Sequence, residues 1–260
     1  MSEELVPAPA PGRAAATFIP GGRALVAGAG WNWIAAAWPL FMRQPGVWIG
    51  VLLLVLVASI VLAAIPVVGT VATLVLYPVI AGGLMLGCRE LEDGGELSFA
   101  HLGVGFSKHF GPLALLGVAY LVALVAIALV AALLAGAGVG ALFGLAAATG
   151  PAGVGLGAMG IALVVLIAVA AMVPVYMALW FAPALIVFEG HDAARALKES
   201  FAACLQNMLP FLLYGAAGLL LGIAASIPLM LGWLALGPVL FASVYTGYQD
   251  IFYAEAGGPD

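Results

Sequence analysis

Charged residues cut the chain into a few short polar segments separated by long apolar stretches. No Asp, Glu, Lys or Arg occurs between Arg43 and Arg89, and at about 20 residues per membrane-crossing helix that interval holds two spans. They are predicted from Val47 to Ile65 and from Val67 to Gly87. The turn between them is Ile65-Pro66-Val67-Val68-Gly69, where proline ends a helix and glycine lets the chain reverse. The interval from Lys108 to Glu189 is again uncharged. Spans from Pro112 to Ala135 and from Ile161 to Phe188 flank a middle section, Gly136 to Gly160, whose glycine content disfavours a helix. A periplasmic loop, a re-entrant segment and shorter spans all stay open there. From Glu199 to Asp250 a third hairpin follows, turning at Ile227-Pro228.

Ahead of each hairpin, large apolar residues recur at steps of three and four, which places them on one helical face. The sets are Trp31, Ile34, Trp38 and Phe41; Phe99, Leu102, Phe106 and Phe110; and Leu197, Phe201, Leu205 and Met208. Polar residues complement each set, and Pro45, Pro112 and Pro210 stand where the following span begins. Such segments suit helices lying in the membrane interface. The expected fold is therefore all-α, a polytopic membrane protein with six transmembrane helices as three hairpins, each preceded by a cytoplasmic interfacial helix.

The segments "PVIAGGLMLGCRE" from Pro78 and "PVLFASVYTGYQD" from Pro238 align without a gap, matching Gly87 with Gly247 and Glu90 with Asp250. This suggests pseudo-repeats over about 28–90, 98–188 and 192–250 within a single domain, 28–254. A Pro-, Ala- and Gly-rich flexible tail is expected at 1–27, and a short C-terminal tail at 255–260.

Composition sharpens this picture. Hydrophobic residues make up 65% of the chain and charged residues 7%, with a mean hydropathy of +1.23, whereas soluble domains average about half and about a quarter. All seven basic residues lie at the bases of the hairpins and none at a tip, so the positive-inside rule puts the bases and both termini in the cytoplasm. Glu3 and Glu4 stand where a secretory signal would be basic, and no cleaved signal is expected. Cys88 and Cys204 are isolated and read as reduced thiols. The net charge of −5 is dispersed, which argues against a nucleic-acid partner.

The Trp-containing "WPLFMRQPGVW", the turn "AIPVVG", "YPVIAGGLMLGCRE" and above all "MALWFAPALIVFEG" with "AARALKESFAACLQN" resemble uncharacterised six-helix inner-membrane proteins of proteobacteria. A more distant similarity is to the YciC-like proteins and to the membrane domain fused to some glycerophosphodiester phosphodiesterases. The resemblance covers about Gly28 to Tyr253. It implies a multi-pass protein of the bacterial inner membrane and assigns no activity; no phosphodiesterase domain accompanies this chain.

The densest polar cluster is Glu189, His191, Asp192, Arg195, Lys198 and Glu199. Asp192 suits the N-cap of a helix starting at Ala193, and Arg195 and Glu199 are spaced to pair. That accounts for the cluster as a boundary; its other reading is a surface for a cytoplasmic partner or lipid headgroups. His101, His109 and His191 invite a metal or haem, but His101 and His109 lie eight apart, roughly 12 Å of helix rise and too far for joint ligation on one straight helix. Small-residue pairs such as Gly83 with Gly87 and Gly218 with Gly222 suit close helix packing. Phosphate-cradling and nucleophile-elbow motifs are absent.

No ionisable Asp, Glu, Lys, Arg or His falls at a span centre, which disfavours ion coupling. Inside the spans stand neutral groups, among them Tyr77, Tyr120, Tyr176 and Tyr214. With the prolines they either line a cavity for an apolar or amphiphilic ligand or simply pack. The expected role is non-enzymatic: an accessory, organising or lipid-interacting membrane component without a cofactor. An uncoupled transporter or lipid flippase is the alternative, and a membrane-protein partner or a second copy of the chain stays open beside the lipid bilayer.

Overall fold

The chain begins, in a computed structural model that describes residues 16–255, with a short strand, β1 (Ala16–Phe18), and reaches α1 (Ala29–Arg43) through a Gly- and Pro-containing segment. α1 buries Gly30, Trp33, Ala37 and Leu40, while Trp31 and Trp38 stay 53% and 49% exposed. The apolar stripe expected there thus splits: Ile34 and Phe41 turn inward and the two tryptophans outward. At Gln44 the chain turns directly into α2 (Pro45–Ala63), where Pro45 occupies a first-turn position that needs no amide hydrogen. The Trp48 indole donates to the Leu40 carbonyl at 3.2 Å and braces this corner.

α2 and α3 (Val68–Glu92) form the first hairpin, reversing where the sequence places Pro66 and Val67. α4 (His101–Ser107) follows a loop whose Leu97 amide donates to Gln44 Oε1 at 2.9 Å. The second hairpin is longer than expected. α5 (Phe110–Thr149) has 40 residues and α6 (Pro151–Trp180) has 30, broken at Gly150 with φ +63°. The glycine-rich stretch 136–160 is therefore helical on both sides of one turn, and the glycine-based expectation is corrected. Helix propensity is a weak prior that tertiary packing overrides, and α5 and α6 pack on each other. At 1.5 Å per residue α5 extends roughly 60 Å, about twice a bilayer core.

The span expected to end at Phe188 is interrupted. α6 stops at Trp180 and α7 (Ala182–Glu189) restarts with Pro183 in its first turn. α7 is buried from Ala182 to Val187. α3 and α8 (Ala193–Gln206) pack against it. The Ser200 hydroxyl accepts from the Phe181 amide at 3.0 Å and donates to the Met177 carbonyl at 2.7 Å. Residues 177 and 181 are the partners of an ordinary i to i−4 helical bond, so Ser200 is inserted into the ladder at the break.

α9 (Met208–Ser226) and α10 (Trp233–Phe252) make the third hairpin, and the chain ends in β2 (Tyr253–Glu255), antiparallel to β1. Pairing of Phe18 with Tyr253 joins the two ends of the described chain. Part of the tail expected over 1–27, from Ala16 on, thus pairs with the other end of the described chain. Arg23 and Ile19 amides donate to the Ile251 and Phe252 carbonyls, and Phe18 packs on Phe252, Tyr253 and His191. Residues 1–15 and 256–260 of the two expected tails lie outside the described residues.

The three short amphipathic helices dock in a common way. α4 packs on α3, α8 on α6 and α1 on α10. In the first two cases the partner precedes the short helix in the chain; in the third the β1–β2 pairing stands in for that connection. Small residues often form the inward face, as Ala193, Ala196, Ser200 and Ala203 do on α8, while Leu205 is 53% exposed. Among the described residues, five stretches are long and apolar enough to cross a bilayer: Pro45–Ala63, Val68–Glu92, Phe110–Gly140, Ala158–Glu189 and Met208–Ser226. The protein is an all-α polytopic membrane protein. α10, the helix expected as a sixth span, has 20 residues but carries Gln249 and Asp250 in its last turn.

Candidate functional site

Gly190 ends α7 in the left-handed conformation, φ +66°, which glycine adopts without a Cβ clash. One residue is then left before Asp192, whose Oδ1 accepts from the Arg195 amide at 3.0 Å and caps α8. Arg195 Nε donates to Glu199 Oε1 at 2.8 Å one turn along. These two local features match the spacing in the sequence.

The cluster has two sides. Asp192, Arg195 and Lys198 are exposed. Glu189, His191 and Glu199 turn inward: Glu189 Oε1 accepts from Tyr248 at 2.8 Å and from Tyr253 at 2.5 Å, which ties α7 to α10 and β2. Burial pushes the Tyr253 phenol above its ordinary value, and its hydrogen bond to Glu189 pushes it further, so it stays a donor at neutral pH. His191 is 8% exposed. Its Nδ1 stands 3.6 Å from Glu199 Oε2; both atoms are buried, and neither has a hydrogen-bond partner among the described residues. The outward side is a small charged surface with two cations on one helical face. The inward side is a clamp in which Glu189 joins Tyr248 of α10 to Tyr253 of β2.

The three histidines are dispersed. His101 Nε2 lies 2.9 Å from Glu90 Oε2, His109 lies between α4 and α5, and His191 belongs to the clamp. Among the described residues no group of three His, Cys, Asp or Glu side chains is placed to hold a metal ion.

Other polar residues position the base more than the charged cluster does. Asn207 is fully buried, accepts from the Leu25 amide at 2.8 Å and donates to the carbonyls of Arg23 at 2.9 Å and Ala203 at 2.8 Å. It fastens the N-terminal segment to the corner between α8 and α9. Its signal in the sequence was an isolated amide at the end of an amphipathic segment, just before Pro210. Glu92 likewise accepts from Tyr245 at 2.5 Å and Gln249 at 2.9 Å. The Arg89 guanidinium lies 3.8 Å from the centre of the Phe188 ring, a cation–π contact.

Two crevices open on the outer surface. One, about 510 Å³, runs between α1, α9 and α10 and is lined by Trp31, Ile34, Trp38, Leu221, Ala225 and Leu236, among others. The other, about 230 Å³, lies between α2, α3 and α10, walled by residues such as Val55, Leu62, Leu76, Ile80 and Phe241, with Tyr77 beside them. No charged side chain lines either crevice.

No protein-family model matches the chain, and no solved structure matches it. It is 33% identical over 223 residues to a probable inner membrane protein of Burkholderia thailandensis, covering 83% of this chain and 80% of that protein. Together with the long apolar helices, this extent of identity makes the chain a member of the same family of multi-pass inner membrane proteins.

Proposed function

We propose that the protein is a non-enzymatic, lipid-interacting component of the bacterial inner membrane. In this reading it has six spans, counting α10, in three repeated units. α1, α4 and α8 lie on the cytoplasmic leaflet, and both termini are cytoplasmic. The distant sequence resemblance to YciC-like proteins and to a phosphodiesterase membrane domain accords with such a bundle. The observation that carries the reading is the pair of lateral crevices, which are apolar, free of charged side chains and open at the surface of helices built to face hydrocarbon. A groove of that chemistry accepts acyl chains and offers nothing to a hydrophilic solute.

The outward face of the charged cluster fits the same role. Arg195 and Lys198, three residues apart on α8, present two cations beside the leaflet, where anionic headgroups attract them; a cytoplasmic partner would dock on the same face. Native mass spectrometry after gentle solubilisation tests the reading. Retained phospholipid, with or without a stoichiometric protein partner, is the expected result, and a bare chain overturns it. Reconstitution into liposomes with a fluorescent phospholipid and an external quencher separates the alternative: rapid loss of inner-leaflet fluorescence identifies a flippase.

A further inference from the structure

The crevice between α2, α3 and α10 has two unlike ends. Its α2 wall runs from Trp48 to Leu62, roughly 21 Å of helix rise, and its α3 wall from Thr73 to Leu84. The far end therefore lies near the tip of the first hairpin. Trp48 closes the near end: it is buried, its indole donates to the Leu40 carbonyl at 3.2 Å, and its ring centroid lies 6.4 Å from that of Phe241 on α10. One leaflet of the hydrocarbon core is about 15 Å deep, so the crevice follows an acyl chain along its whole length.

The near end carries a cation. Arg43 is exposed and closes α1, directly before Gln44, whose own side chain is fixed by the Leu97 amide at 2.9 Å. Arg43 Nη1 donates to the Glu92 carbonyl at 3.4 Å, and among the described residues Arg43 makes no ion pair. The Glu92 carboxylate is directed to α10, where Tyr245 and Gln249 donate to it. From Trp48 back to Gln44 is roughly 6 Å of helix rise. A bilayer of about 40–45 Å around a core of about 30 Å leaves about 5–8 Å for the headgroups on each side. Arg43 therefore stands at the level of the phosphate of a lipid whose chain begins at Trp48.

We propose that the α2–α3–α10 crevice holds one acyl chain of a phospholipid from the leaflet at the base of the bundle, and that Arg43 binds its phosphate. The apolar walls match the chain, and the unpaired guanidinium matches the anion. Charge is what separates this ligand from a diacylglycerol, which has the same chains and no phosphate. The site deepens the lipid-interacting reading and rests on it.

The test uses the whole protein, stripped of lipid in dodecyl maltoside, a detergent without phosphate. Phosphatidylglycerol carrying a diazirine in one acyl chain is titrated in and crosslinked, and the labelled peptides are mapped by mass spectrometry. Labelling of the crevice walls on α2, α3 and α10 is expected to saturate, while labelling around the outward-facing Val165, Leu166 and Val169 of α6 rises in proportion to the probe. Arg43→Gln is expected to raise the half-saturating concentration about fivefold, the worth of an exposed charge pair. Ala58→Phe, which fills the slot from its α2 wall, is expected to lower wall labelling at every concentration. A diacylglycerol with the same diazirine chain is expected to bind wild type about fivefold more weakly than phosphatidylglycerol does. Unchanged thermal unfolding confirms that the variants fold. Wall labelling that never saturates, equal saturation by wild type and both variants, or equal saturation by the two probes overturns the site. Phospholipid retained in native mass spectra under any of those outcomes leaves the broader reading standing.

Discussion

The Trp33 indole donates to Asp250 Oδ2 at 3.0 Å, and its ring lies against Gly247, where an added Cβ would stand 3.2 Å from Trp33 Cδ2. The same device recurs between α3 and α4. His101 Nε2 meets Glu90 Oε2 at 2.9 Å, and a Cβ on Gly87 would lie 3.3 Å from His101 Cγ. In each case a glycine makes room for a ring on the short helix, and a carboxylate three residues later holds the ring nitrogen. Gly87 with Glu90 and Gly247 with Asp250 are the pairs that coincide when the two segments are aligned.

Asp250→Ala removes this bond and the 3.2 Å ion pair to Arg23. A loss of about 2 kcal/mol is expected, in the range for hydrogen bonds to a charged group. Glu90→Ala is expected to cost less, because the Glu90 side chain is 56% exposed and exposed pairs are worth about 1 kcal/mol or less. Thermal unfolding of both variants in one detergent gives the order; a larger effect at Glu90 contradicts it.

Ser200→Ala leaves the Phe181 amide and the Met177 carbonyl without the hydroxyl that joins them. A buried donor without a partner costs about 1–3 kcal/mol, so a clear drop in thermal stability is expected. Ser200→Thr, which keeps a hydroxyl, is expected to lose less than Ser200→Ala if the hydroxyl is what matters. No change in either variant refutes the inserted-hydroxyl account of the break between α6 and α7.

Asn207→Ala abolishes three hydrogen bonds, two of which hold the segment around Arg23 and Leu25. The segment is expected to loosen before the bundle unfolds. Limited trypsin digestion reads this directly as faster cleavage after Arg23 than in the wild type, and equal cleavage rates count against the clasp.

Burial pushes the Cys204 thiol up from 9.0 to about 12, partly opposed by a hydrogen bond involving Ser200. Ionisation therefore favours the unfolded chain. Any contribution of the neutral thiol to stability is complete below pH 9 and is lost as pH rises from 9 to about 12. At pH 8 maleimide labelling of Cys204 is expected to be slow in the folded protein and fast after denaturation, with stability falling above pH 9 less steeply in Cys204→Ala. Prompt labelling of the native chain at pH 8 is the contrary result.

The turns, the cap at Asp192 and the Arg195–Glu199 pair were legible because each depends on a few neighbouring residues. The facing of α1 was not. Trp31, Ile34, Trp38 and Phe41 have helical spacing whether they meet protein or lipid, and in hydrocarbon both are apolar. Only the folded chain separates Ile34, which is 5% exposed, from Trp31 at 53%. The helical character of 136–160 was hidden because glycine content is a weak prior, and the packing of α5 on α6 that outweighs it is not local. The interruption at Phe181 had a local signal in Pro183, but its repair by Ser200 requires a neighbour nineteen residues away.

Closure of the ring through β1 and β2 sets an order of assembly. α1 is among the first helices to leave the ribosome, yet α10, on which it rests, is the last. Seating α1 therefore waits until α10 has been made, and a chain lacking Trp233–Phe252 would lose the support of α1 as well as α10 itself.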